Sequence, residues 1–147
     1  MSDGEENKAL IRRFFAAWNE GKLDDCYALL APEIVDHAVP PGFPPGLEGV
    51  KQSTALVRSA FPDGQFTIED LIAEGEQVVA RWTVRATHGG DFFGIPPTGK
   101  QVAITGTDIV RLAHGKAVEH WRISDQLGLL QQLGVVPAPG QTGSSPL

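Results

Sequence analysis

A strict alternation of apolar and polar residues in the second half of the chain constrains the fold most. From Gln77 to His88 one face carries apolar side chains, namely Val78, Ala80, Trp82, Val84 and Ala86. Side chains of a β-strand point alternately to its two faces, so this pattern predicts a strand with one buried face. Val102 to Leu112 alternates in the same way, and Gln65 to Ile72 does so weakly. A turn at His114-Gly115 leads into a further strand, Ala117 to Ser124, which predicts an antiparallel sheet.

The first part of the chain has helical periodicity instead. Apolar residues at spacings of three and four predict an amphipathic helix from about Glu5 to Asn19, ended by Gly21. We expect further helices at about 23–30 (stopped by Pro32), 49–60 and 126–133, the last with Asp125 as its N-cap. Residues 38–47 contain four prolines and predict a stiff loop, a candidate lid. Helices followed by antiparallel strands indicate an α+β fold.

Length and composition narrow the function classes. A length of 147 residues is typical of one domain, which we expect over residues 1–136. The Pro/Gly/Ser-rich composition of residues 137–147 predicts a loose tail. The net charge is −6, with no Lys/Arg cluster, which argues against nucleic-acid or membrane-surface partners. The N-terminus does not resemble a signal peptide, and no apolar run approaches the roughly 20 residues of a membrane span. We therefore expect a cytoplasmic protein with a small-molecule partner.

Asp108 is the first candidate for chemistry. It is an acid in the otherwise apolar row of even positions from Val102 to Leu112. Burial disfavours the charged form of a carboxylate, so its pKa tends to rise, and such groups often act as acids or bases. His88 falls on the same predicted face as Trp82. Asp36-His37, just before the Pro-rich loop, is a further candidate pair.

The side chain opposite Asp108 depends on the register of the last hairpin. A two-residue turn at His114-Gly115 pairs Ala113 with Lys116 and places Trp121 opposite Asp108. A three-residue loop with a bulge places Arg122 there instead, and His120 opposite Val110. A shift of one residue exchanges the two faces of the strand, and the pattern alone leaves both registers open.

Other chemistries lack their motifs. The four histidines do not have the spacing H-E-x-x-H, and the single cysteine, Cys26, provides neither a disulfide nor a cysteine metal site. Neither a glycine-rich phosphate loop nor a G-x-S-x-G elbow occurs. We therefore expect no metal and no cofactor.

Three stretches resemble the SnoaL-like polyketide cyclases, also called ester cyclases, of the nuclear-transport-factor-like superfamily. They are THGGDFFGIPPTGK at 87–100, DIVRLAHGKAVEHW at 108–121 and DQLGLLQQLG at 125–134. The resemblance spans nearly the whole chain. It implies a cone-shaped, curved antiparallel sheet whose N-terminal helices enclose a deep pocket, and a homodimer or higher homo-oligomer. Trp121 and Ile123 would be buried at such an interface.

The resemblance also implies a chemistry, an intramolecular aldol ring closure of polyketide esters without cofactor. His88 and His120 match family histidines, and Asp108 falls where the cyclases carry a histidine. The family's catalytic aspartate falls on Arg122. The two departures would face each other in the bulged register, so the resemblance favours that register and an Asp108–Arg122 pair. A close arginine would lower the pKa of Asp108, which would make it a permanent carboxylate but a weaker base.

We therefore interpret the chain as a cofactor-independent acid/base enzyme for a small, apolar, carbonyl-bearing substrate. Asp108 would be the base, Arg122 would stabilise an oxyanion, and His88 and His120 would position or shuttle protons. The candidate substrate-binding residues are Trp18, His37, Trp82, Phe92 and Phe93. The alternatives are an epoxide hydrolase or cyclase, with Asp36 or Asp125 as a further acid, an isomerase, a dehydratase, or a non-catalytic binding protein.

Overall fold

The computed structural model describes residues 3–140, so the predicted tail from residue 141 onward lies outside the described residues. The elements, in chain order, are α1 Asp3–Asn19, α2 Leu23–Ala28, β1 Leu30–Asp36, α3 Gly46–Ala60, β2 Gln65–Glu74, β3 Gln77–Thr87, β4 Gln101–Ala113, β5 Lys116–Ser124 and α4 Gln126–Leu133. No helix within 3–140 is long and apolar enough to cross a membrane.

The five strands form one curved, unclosed sheet in the order β1-β5-β4-β3-β2, which confirms the α+β fold class. Most even positions of β3 and β4 are buried as predicted, and Val84, Ile104 and Gly106 are partly buried. Helices α1, α3 and α4 pack against the sheet. The main core contains Ile11, Phe15, Leu30, Ile34, Val50, Val78, Ala80, Trp82, Val110, Leu112 and Ala117. Alternation along the strands thus placed their apolar residues correctly.

Strand β1 was not predicted. We expected a helix from 23 to 30 that stops at Pro32, whereas the helix ends at Ala28 and a strand runs through the proline. Proline is tolerated there because β1 is an edge strand whose pairing is irregular between Leu30 and Val35. β1 runs parallel to β5, so the expectation of a wholly antiparallel sheet was wrong for this edge.

The last hairpin combines features of both predicted registers. His114 and Gly115 have φ values of 53° and 76°, and they form a two-residue turn that pairs Ala113 with Lys116. Between the pairs Leu112–Ala117 and Arg111–Glu119 the register shifts by one residue, which leaves Val118 as the extra residue. From that point Arg122 lies opposite Asp108 and His120 opposite Val110. The bulged register is therefore confirmed, although the bulge lies in β5 and not in the turn.

Candidate active site

Asp108 and Arg122 form a two-point ion pair on the helix-covered face of the sheet. Arg122 Nε donates to Asp108 Oδ1 at 2.6 Å, and Arg122 Nη2 donates to Asp108 Oδ2 at 2.9 Å. The Asp108 side chain is only 5% exposed, whereas that of Arg122 is 33% exposed. The carboxylate is thus buried behind a guanidinium that solvent reaches.

The ion pair with Arg122 determines the pKa of Asp108. Burial by itself raises the pKa of Asp108, as we predicted from its place in an apolar row. The charge and hydrogen bonds of Arg122, helped by His120, outweigh burial, and the pKa of Asp108 falls far below its ordinary value. This lowering is what the expected Asp108–Arg122 pair implies, because a paired carboxylate stays ionised. Burial likewise lowers the pKa of Arg122, but Asp108 overcomes this effect and raises it.

His120 lies between two carboxylates. Its Nδ1 is 2.9 Å from Asp36 Oδ1, and its Nε2 is 3.5 Å from Asp108 Oδ1. Burial alone lowers the pKa of His120, whereas the Asp108 and Asp36 carboxylates raise it, and the net direction is upward. Asp36, His120, Asp108 and Arg122 therefore form one continuous charged cluster, called here the β5 cluster.

The aromatic ring of Trp82 forms the floor of the β5 cluster. The Arg122 guanidinium lies 5.1 Å from the centroid of the Trp82 ring and 5.8 Å from that of Phe66. Trp82 crosses over Gly106 on β4, where a Cβ atom would overlap its six-membered ring. Glycine at 106 thus leaves room for the indole beneath Arg122. The indole Nε1 is buried and has no hydrogen-bond partner among the described residues.

His88 lies far from the β5 cluster. Asp108 pairs with Ala80, and His88 is eight residues further along the same chain, which corresponds to about 26 Å of extended strand. The histidine is fully buried, and its Nδ1 contacts Thr98 through both the backbone nitrogen and Oγ1. The role expected for His88, to position or shuttle protons beside Asp108, does not fit this separation, because equal strand parity ensures the same face but not proximity.

The remaining candidate binding residues are also dispersed. Phe92 packs on Phe61 beside His88, and Phe93 is 58% exposed. Trp18 lies on α1 against Phe66, with Arg58 over its ring. Trp82 is thus the candidate aromatic residue that the fold brings directly to the β5 cluster.

His37 faces away from the β5 cluster. Its Nε2 is 2.8 Å from Glu119 Oε2, and its ring stacks on Trp121 at 5.1 Å. Glu119 and Trp121 alternate along β5 with His120 and Arg122, so the two sets lie on opposite faces. Placing His37 in the pocket was therefore wrong. Its neighbour Asp36 takes that place, because the unpredicted strand β1 pairs Asp36 with His120.

Two open clefts flank the sheet. One, of about 410 Å³, lies between α1 and β2 and includes Phe15, Asn19 and Phe66. The other, of about 630 Å³, lies between β1 and the Pro-rich loop and is bordered by Asp36. Within residues 3–140, His, Cys, Asp and Glu side chains form no group of three or more able to hold a metal ion.

Comparisons with known proteins identify the family and the fold. The family model for SnoaL-like polyketide cyclase matches residues 8–133. Aklanonic acid methyl ester cyclase DauD of Streptomyces sp. (strain C5) is 30% identical over 147 residues, covering 93% of this chain and 86% of DauD. Among solved structures, TsrD from Streptomyces laurentii superposes with a TM-score of 0.83 and 32% identity, covering 92% of this chain and all of TsrD. AclR, a candidate hydroxylase from Streptomyces galilaeus, has a TM-score of 0.80 and 35% identity, covering 90% and 98% of the two chains. The chain therefore belongs to the SnoaL-like polyketide cyclase family.

Proposed function

We propose that the protein is a cofactor-independent acid/base enzyme that closes a ring in a small, apolar, carbonyl-bearing substrate of polyketide type. Membership of the family and the similarity to a methyl ester cyclase support this class of substrate. The observation that carries the proposal is the β5 cluster, in which a buried carboxylate, a cation and a histidine meet on the helix-covered face of the sheet. Such a group of charges in a desolvated place is typical of acid/base sites.

Arg122 supplies electrostatic stabilisation in this proposal. The pair with Asp108 uses Nε and Nη2 and leaves Nη1 outside it, on a side chain that is one-third exposed. A carbonyl that is attacked during ring closure develops negative charge on oxygen, and a fixed cation stabilises that charge. Arginine remains protonated throughout, so it cannot replace the aspartate that the family resemblance places at this position as a base.

Asp108 fixes this cation. Two hydrogen bonds from a planar guanidinium set both the position and the plane of Arg122. The lowered pKa that results makes Asp108 alone a weak base. Proton transfer therefore needs the neighbouring His120, whose Nε2 is 3.5 Å from Asp108 Oδ1.

Turnover of a defined substrate tests the proposal. Aklanonic acid methyl ester, the substrate named for DauD, would be incubated with the purified protein, and conversion to a product of unchanged mass followed by chromatography and mass spectrometry. We expect Arg122→Gln to lower kcat by about 10²- to 10³-fold, as the loss of an oxyanion donor does. Asp70→Asn is the matched control, because it breaks an exposed Asp70–Arg81 pair outside the β5 cluster. Binding without conversion would favour a non-catalytic binding protein instead.

We also propose that the protein acts as a homodimer through the outer face of its sheet. The pairing of strands β2 to β5 places four residues side by side on that face, namely Ile72, Val79, Ile109 and Trp121. Ile72 is 63% exposed and Ile123 is 82% exposed. Contiguous apolar surface of this kind commonly marks a protein interface.

A further inference from the structure

We propose that Asp36 positions His120 so that His120, and not Asp108, carries the proton in the site. This inference rests on the proposed function and assigns the proton transfer within it. Asp36 is the last residue of β1, and the parallel pairing of β1 with β5 sets it beside His120. The side chains of both residues are mostly buried, at 10% and 15% exposure.

The hydrogen bonds around Asp36 determine which nitrogen of His120 holds a proton. Asp36 Oδ1 accepts a hydrogen bond from the backbone nitrogen of Ala38 at 2.8 Å and lies 2.9 Å from His120 Nδ1. A carboxylate only accepts, so Nδ1 must donate to it. The remaining ring nitrogen, Nε2, then exchanges protons, and it points to the Asp108–Arg122 pair at 3.5 Å. That distance is long for a hydrogen bond and leaves Nε2 able to engage a substrate atom instead.

The charges that face the His120 ring favour uptake of a proton. They are Asp36 from β1, Asp108 from β4 and Arg122 from β5 itself. The Arg122 charge is already compensated by its two-point pair with Asp108. The Asp36 carboxylate has no such cationic partner besides His120 among the ion pairs of residues 3–140. A proton on Nε2 therefore makes the four-residue cluster electrically neutral.

With His120 as the single proton carrier, the ring closure conserves all atoms and charges. Neutral His120 takes a proton from the carbon next to a substrate carbonyl through Nε2, and the C–H electron pair forms an enolate. The enolate carbon attacks the second carbonyl, a C–C bond forms, and the C=O π electrons move to the oxygen. That oxygen, stabilised by Arg122, takes the proton back from Nε2. Substrate and product have the same atoms, and His120 returns to its neutral form.

Nuclear magnetic resonance tests the positioning without any substrate. The ring nitrogens of His120 would be followed from pH 5 to 10, assigned by the signal that disappears in His120→Gln. We expect an Nδ1–H tautomer and a midpoint above the ordinary histidine value. Asp36→Asn keeps an oxygen that can accept from Ala38 and Nδ1 but removes the charge, so we expect the midpoint to fall by about one pH unit. Glu33→Gln, which removes one exposed charge from the same strand, is the matched control and should leave it unchanged.

Kinetics test the catalytic part. We expect Asp36→Asn to lower kcat about tenfold and to shift its pH dependence to lower pH, with KM little changed and thermal unfolding as a check on folding. A His120 midpoint that does not move in Asp36→Asn, or moves as much in Glu33→Gln, overturns the inference. A shifted midpoint in a protein that converts no substrate supports the Asp36–His120 pairing and refutes the proposed function instead.

Discussion

Replacing Arg122 should destabilise the protein more than replacing Asp108. Arg122→Gln leaves a carboxylate whose side chain is 5% exposed with only His120 beside it, at 3.5 Å. Leaving one buried charge unpaired costs about 3–5 kcal/mol, and the nearby His120 places the expected loss near the lower end, about 3 kcal/mol. Asp108→Asn leaves a guanidinium that is 33% exposed and stacks on Trp82, so water compensates it and we expect a loss of about 1–2 kcal/mol.

A double-mutant cycle measures the interaction directly. The free energy of unfolding would be determined at pH 7 by denaturant titration for the parent, both single variants and the double variant. We expect the double variant to lose less than the sum of the single losses, with a coupling of about 2 kcal/mol, which is within the range found for contacting residues. In thermal unfolding, Arg122→Gln should lower Tm by about 6–12 °C for a chain of this size.

The exposed Asp70–Arg81 pair is the matched cycle. Both of its side chains are 55% exposed, and its hydrogen bond from Nε is 2.7 Å, close to the 2.6 Å of the buried pair. We expect its coupling to stay below about 1 kcal/mol, because solvent screens it. Equal coupling in the two cycles, or additive losses at Asp108 and Arg122 within about 0.5 kcal/mol, would show that burial does not strengthen the site pair.

Three further predictions follow from named contacts. Since the pKa of His120 is raised in the folded protein, its stabilising contribution is complete below the ordinary value of 6.5 and is lost as pH rises from there through the folded-state value. The free energy of unfolding from urea titrations should therefore fall across that interval, and His120→Gln should flatten the fall. Gly106→Ala should lose about 1–3 kcal/mol and change the near-ultraviolet circular dichroism, because the new methyl group meets the Trp82 ring; an unaltered spectrum and stability would contradict this packing. Light scattering should give twice the chain mass of 15.7 kDa, and Ile123→Glu should shift it to monomer; a parent that is already monomeric refutes the interface.

Alternation by itself determined much of the architecture. The apolar even positions of β3 and β4 require one buried face, and Asp108 was singled out because it interrupts that row. The sequence also predicted Asp125 as the N-cap of α4, and its side chain accepts a hydrogen bond from the backbone nitrogen of Gly128. These features depend on neighbours within a few residues, where local geometry and burial act together.

Only the tertiary structure decided which residues meet. A shift of one residue in register decides whether Trp121 or Arg122 lies opposite Asp108, and that shift comes from a bulge at Val118 that no turn signal indicates. Strand β1 contains a proline and lacks alternation, so Asp36 could not be placed beside His120 from the sequence. Parity put His88 on the correct face yet could not show that it lies at the opposite end of the strand. Pairing between strands distant in sequence depends on contacts that a local pattern does not contain, and the site is built from such pairings.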